Sequence, residues 1–314
     1  MSLQSNRRTW GRSTRPVAAE LAAVIVALVA LSVWQYVARE FLIPAVGFAP
    51  GGPGFEAVDS LLVAGGITGG LLLVGVVAVV VVYTRVRNVA VGIALPSTDS
   101  VPTVVAAVLA PVALVTATKL VGTLTGTTYS ALLLRSYGPA ATVEHFVSMT
   151  ILTLFVGVPM LVLVCQVLVQ GSVRRVVDGD TAVALTTLVG GFLLVDASGG
   201  LDVLPEFGRT VGAGLFVAAI AVALYGTERF ERSWVRYLSV LPVAILLGGT
   251  VVAGIAAVET VPEVLFVGVK LAVIGVAAST YDRTDSLLVP AVVYASFLAS
   301  SEAVVYVFEI GVQS

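Results

Sequence analysis

The chain has 314 residues, of which 58% are hydrophobic and only 11% charged; a water-soluble domain carries roughly 25% charged residues, so this composition belongs in a bilayer. A formal net charge of −2 is too small to suggest a nucleic-acid partner. With one cysteine, Cys165, and one histidine, His145, the chain can form no intrachain disulfide and lacks the usual Cys/His ligands of a zinc site.

Residues 1–16 are polar and carry Arg7, Arg8, Arg12 and Arg15, which predicts a basic cytoplasmic tail. The apolar run behind it is too long for the core of a signal peptide and shows no evident cleavage site. Hydrophobic runs and their breakers then predict spans near Val17–Val37, Ser60–Tyr83, Pro102–Leu124, Val147–Gln170 and Thr181–Asp196, followed by Thr210–Gly226, Tyr237–Val258, Glu263–Thr280 and Leu287–Phe308. Runs of about 18 to 25 apolar residues are long enough to span the hydrocarbon. With no water to bond, the backbone there must satisfy itself, so the runs are helices. No linker long or polar enough divides residues 17–314. They read as one membrane domain: an all-α, polytopic transmembrane helix bundle of about nine helices.

The connections carry their charge unevenly. Arg85 and Arg87 follow the second span, Arg174 and Arg175 the fourth, Arg229, Arg232 and Arg236 the sixth, and Arg283 the eighth; with the tail these make twelve cations. The alternate loops hold three, Arg39, Arg135 and Arg209, beside Glu56, Asp59, Asp202, Glu206 and Glu259. By the positive-inside rule the N-terminus lies in the cytoplasm and the C-terminus outside, in a multi-pass protein of the cell membrane. A missed or extra span would break the alternation. The loop Phe48–Asp59 reads as a Gly/Pro turn, and Thr125–Glu144 as the longest external connection, with room for a short interfacial helix. In the second span, Gly65/Gly69 and Gly66/Gly70 are overlapping small-xxx-small pairs, expected to pack within the bundle.

Ionisable side chains inside the hydrocarbon are costly, so each calls for a reason. Lys119, Asp196, Lys270 and Glu302 fall in the outer halves of their spans. Two cations and two anions at similar depth suggest an interhelical charge cluster; the alternatives are that Lys119 and Asp196 snorkel to the outer interface, or that the set marks a substrate or proton path. His145, at the outer mouth of the fourth span, reads as an interfacial polar residue. Gln166 and Gln170, one turn apart, read as amides bonding to a neighbouring helix. No phosphate-binding glycine loop, nucleophile elbow or HExxH helix is present.

Two segments resemble the CPBP intramembrane metalloproteases, also called CAAX-protease or Abi proteins. The first runs from Gly157 through Pro159, Leu161, Val162, Gln166, Gln170 and Gly171 to Arg174 and Arg175, where family members read like GPxEELLFRGVVQGxLRR. The second, Tyr281 to Tyr294 with Arg283, Thr284 and Pro290, is similar to the family's YERTxSLxVPxxxH. Gly92–Ser97, around Pro96, is similar to the segment before the core of haloarchaeal-type members, so the likeness covers residues 88–310 in patches. The resemblance implies a membrane-embedded peptidase scaffold, yet every catalytic position is altered. The Glu pair and Arg of EExxxR become Leu161, Val162 and Gln166. FxxxH becomes Gly190 and Leu194 without a gap, or Phe192 and Asp196 with a slip of two, and HxxxN becomes Tyr294 and Leu298.

Making a nucleophile from water at neutral pH needs a metal or a general base. Leucine and valine offer neither, so the chain looks like a pseudoprotease with no metal and no cofactor, acting by binding. Its expected partners are the lipid bilayer and a membrane peptide or protein. A small-molecule or ion permease is the alternative, although no inverted repeat or pair of broken helices is evident. An active intramembrane protease is the third reading. If the scaffold is kept, Leu161, Val162 and Gln166 should face inward, Phe192, Tyr294 and Leu298 should approach them, and the Tyr294 hydroxyl should find Gln166.

Overall fold

The apolar runs fold as helices, and among the described residues there is no strand. A computed structural model describes residues 17–48, 61–134, 142–196, 199–201, 207–229 and 232–309. The basic tail, residues 49–60 of the Gly/Pro turn, Arg135, Asp202 and Glu206 lie outside the described residues.

In chain order the helices are α1 (Val17–Val37), which continues through a π turn at Ala38–Leu42; α2 (Leu61–Arg87); α3 (Val101–Thr125); the short α4 (Tyr129–Leu133); and α5, a composite helix over Val143–Val173. They are followed by α6 (Gly179–Leu194), α7 (Phe207–Arg229), α8 (Ser233–Ala257), α9 (Val261–Thr284) and α10 (Leu288–Glu309). Eight of them are long and apolar enough to cross a membrane. The short α4 occupies the expected place in the connection after α3, and the Thr128 hydroxyl caps it by accepting from the Ala131 amide at 3.4 Å.

The fifth predicted span is present but shorter than a membrane. Its 16 residues rise roughly 24 Å, against a hydrocarbon core of about 30 Å. The chain leaves the helix at Val195, which is extended (φ −105°, ψ 123°), so Asp196 lies beyond the helix end. Several other helices overrun their predicted edges by about a turn, as at Thr84–Arg87 and Tyr281–Thr284. There the hydrophobic run stops, but Arg87 pairs with Glu20 and Asp282 with Arg174, and the backbone stays helical.

Side-chain contacts sort the helix ends into two sets. Glu20 at the start of α1 meets Arg87 at the end of α2 (2.8 Å) and Arg175 just past α5 (3.7 Å). Arg174 meets Asp282 near the end of α9 (3.2 Å) and Asp285 (3.0 Å) in the turn to α10. At the other end, Lys119 near the end of α3 pairs with Glu309 at the end of α10, and Gly199, past α6, donates to Leu132 O of α4 (2.8 Å). The membrane-length helices and α6 therefore run alternately up and down, with Arg87, Arg174 and Arg175 at one end.

The outer surface is apolar. Val74, Val82 and Val86 of α2, Leu109 and Leu124 of α3, and Tyr237 and Val252 of α8 are all exposed. Such an area facing water would be an aggregation surface; facing lipid it needs no partner. Reporter fusions at Arg85, Arg174, Arg232 and Arg283 are expected to report cytoplasm, and a fusion at the C-terminus the outside. A cytoplasmic C-terminus would refute this orientation.

The composite α5 is broken by π turns at Thr153–Gly157 and Val162–Gln170. The first precedes Pro159, as the π turn of α1 precedes Pro44. A proline lacks the N–H for the carbonyl four residues back and crowds that turn, and widening the helix there relieves both problems. The second stretch holds no proline. It carries Cys165, Gln166 and Gln170, and π turns often sit where a helix does something other than span.

Candidate functional site

The residues aligned above with the family's motifs split into two groups. On α5, Leu161 and Gln166 are fully buried and Val162 nearly so, and on α10 Tyr294 is fully buried with Leu298 one turn further on. Gln166 Nε2 donates to the Tyr294 hydroxyl at 3.1 Å, the partner expected from the sequence. The ring fills the interior while its polar tip is satisfied by an amide. Around this pair lie Cys165, Val162 and Phe297, all buried.

Phe192 does not join them. It is half-buried, stacks on Phe216 of α7 (5.7 Å between centroids, 10° between planes), and sits where a Cβ on Gly212 would be 2.7 Å from its Cε1. The residue of α6 that faces the centre is Gly190, where a Cβ would lie 3.3 Å from Cys165 Sγ. Two residues along a helix turn a side chain through about 200°, so with Gly190 facing α5, Phe192 must face α7. Asp196 is exposed, and its carboxylate pairs with Arg209 at 2.5 Å. Among the described residues no three His, Cys, Asp or Glu side chains converge to hold a metal ion.

The four membrane charges do not meet at one point. Lys119 pairs with Glu309, whose Oε1 also accepts from the Tyr129 amide (2.6 Å) and whose Oε2 accepts from the Ser130 amide (2.7 Å). Lys270 is fully buried. Its ammonium donates to the carbonyls of Asp196 (2.6 Å) and Gly199 (2.9 Å), and lies 4.6 Å from the centre of the Phe266 ring. Lys270 and Asp196 are thus brought together, but through the aspartate's backbone. The two carbonyls belong to the segment that follows α6, so Lys270 holds the chain where it leaves the helix. Glu302, 3% exposed, lies apart from these pairs in the wall of a cavity.

That cavity has a volume of about 520 Å³ and opens between α2, α5 and α10, in the half of the bundle away from Arg87, Arg174 and Arg175. Leu72, Val156, Met160, Phe297 and Leu298 give it apolar walls. Polar atoms come from Thr68, Thr153, Ser301 and Glu302, with Arg39 at the rim. Gly65 and Gly69 bring α2 against α5, since a Cβ at either would come within 2.7 Å of Leu152 or Val156 side-chain atoms. This pair packs within the bundle as expected, whereas Gly66 and Gly70 face no atom within 4 Å. The size suits a drug-sized or single-chain lipid-like ligand.

Two acidic groups escaped the sequence reading. Glu309 ends the final helix, one residue past the predicted span, and was not singled out. Glu20, fully buried, interrupts the first apolar run at its start, and its partners Arg87 and Arg175 looked merely topological. Arg175 Nη1 also donates to the Arg87 carbonyl (2.6 Å), and Tyr83 and Ser172 share a hydrogen bond of 2.6 Å nearby. A carboxylate inside an apolar run, with arginines ending two other runs on the same side, was the available signal. The chain matches no protein-family model, no curated protein and no solved structure.

Proposed function

We propose that this chain is a non-catalytic membrane protein on a CPBP-like scaffold that binds a membrane-embedded ligand in the cavity between α2, α5 and α10. The ligand is a lipid-modified tail or hydrophobic peptide segment of a membrane protein. The observation that carries the reading is the cavity itself, which shares Phe297 and Leu298 with the surroundings of the Gln166–Tyr294 pair. Its walls are apolar with a few convergent polar groups, the usual make-up of a ligand site. The motif patches at Gly157–Arg175 and Tyr281–Tyr294 support the scaffold. The catalytic positions on α5 and α10 hold Leu161, Val162, Gln166, Tyr294 and Leu298, none of which activates water.

The test is binding of a fluorescent prenylated peptide to purified protein, with cleavage followed in the same sample. Leu298→Trp, which fills part of the cavity, is expected to weaken binding about tenfold, a loss of about 1.4 kcal/mol, and no product should form. Binding that is indifferent to Leu298→Trp sinks the site, and peptide cleavage stopped by a chelator sinks the non-catalytic reading.

A further inference from the structure

Among the described residues, and apart from the ion-paired Glu20 and Arg87, three buried side-chain polar atoms have no hydrogen-bond partner: Gln166 Oε1, Gln170 Oε1 and Thr186 Oγ1. All three residues are fully buried. Turning the Gln170 amide over does not help, because its Nε2 already donates to the Ala278 carbonyl (2.8 Å), which can only accept. Thr187 bonds back to Val183 O at 2.8 Å, the usual resort of a threonine in a helix, but Thr186 does not. Leaving one such group unmade costs about 1–3 kcal/mol, so three in one region call for an occupant.

The helix register brings them into one wedge. Gly190 of α6 faces both Cys165 of α5 and Ile274 of α9, with a Cβ there 3.3 Å from Sγ and 3.2 Å from Ile274 Cγ2. Thr186 is one turn before Gly190 on the same face of α6. Ala278 is one turn after Ile274 on α9, and Gln170 one π turn after Cys165 on α5. Every step leads toward the end that holds Arg174 and Arg175, so the register puts Thr186 and Gln170 at the level of Ala278. Gln166 lies a turn above Gln170 on the same helix.

The chemistry of the leftover atoms selects the occupant. Two amide oxygens can only accept, and one hydroxyl can donate. A water molecule complements them, donating two hydrogens and accepting one, which matches the roughly three bonds of a typical buried water. A metal cation would meet only neutral oxygens, with no charge to offset its desolvation. We propose that the wedge between α5, α6 and α9 is a binding site for ordered water held by Gln170 and Thr186 and reaching Gln166, so that the π segment of α5 is hydrated from within.

The near-isosteric variant Thr186→Val separates the cases by sign. In a dry wedge it removes an unpaired hydroxyl, and the thermal midpoint rises or stays put. With water bound it removes one of the water's partners, and the midpoint falls by a few degrees. Combined with Gln170→Met, the loss should then be smaller than the sum of the two single losses, because one shared water is lost only once. A rise, no change, or strict additivity overturns the proposal. Should Thr186→Val fail to fold, a wild-type density map that shows other buried waters decides. A peak within about 3.2 Å of both Gln170 Oε1 and Thr186 Oγ1 supports the site, and its absence overturns it.

Discussion

Lys270→Met is expected to lower the thermal midpoint of the purified protein markedly, and Lys270→Ala to lower it further. The ammonium of Lys270 is fully buried and donates to the carbonyls of Asp196 and Gly199 just past the end of α6. Methionine keeps the apolar stem over Phe266 but donates nothing, so each carbonyl that finds no water costs about 1–3 kcal/mol. Alanine removes the stem as well, and truncations of that size in a packed interior add about 2–5 kcal/mol. Losing a buried charge offsets part of this, since the ammonium no longer has to be desolvated. The two orphaned carbonyls should still decide the sign, because the ammonium that satisfies them is fully buried and a carbonyl stripped of it there has little water to turn to. Amide exchange within α6, at Gly191 for example, is a poor reporter in so buried a helix. Exchange at Val195 and Asp196, in the segment that Lys270 holds, should accelerate instead. An unchanged midpoint with unchanged protection at those two amides would show that Lys270 is a passenger.

The helices were legible because each long run carries its own signal. About twenty apolar residues without a charge must bury their backbone bonds locally, and only a helix does so. The short interfacial α4 could be anticipated from the length of the connection holding it. α6 has the predicted length and ends two residues before the predicted edge; what was not legible is that the segment past it is held by Lys270, 74 positions from Asp196 in the chain. Periodicity also could not tell whether Phe192 or Gly190 faces the centre. The choice rests on which side of α6 meets α5 and which meets α7, a tertiary fact.

The polar pairs divide in the same way. Gln166 and Tyr294 could be matched because both lie on apolar runs and each needs one partner. The membrane charges could not be matched by counting. Lys119 finds Glu309 rather than another of the four, because α3 and α10 pack with their ends aligned. Glu20 was overlooked because a carboxylate at the edge of a run reads as interfacial. Full burial against Arg87 came only with the approach of α1, α2 and α5.

The variant Leu161→Glu/Val162→Glu, which introduces the two carboxylates of the resembled motif, is expected to destabilise the protein severely and to confer no peptidase activity. Leu161 is fully buried and Val162 is 7% exposed, in the interior that also holds Cys165 and Tyr294. Burying an unpaired carboxylate costs several kcal/mol even after relaxation, and two neighbouring ones repel. Gln166 offers an amide where the motif has a guanidinium, so that position supplies no cation to pair with them. The side chains would therefore take up protons or force water in, and in either case the packing around Tyr294 is lost. Catalysis would still lack its metal ligands, because the single histidine, His145, lies sixteen residues before Leu161 on α5, roughly 24 Å along the helix. Thermal melting and a peptide-cleavage assay on the same preparation check both halves. If the double variant melts with the wild type, the interior is already hydrated and open. If it cleaves peptide, the scaffold holds catalytic groups that neither Gln166 nor Tyr294 represents.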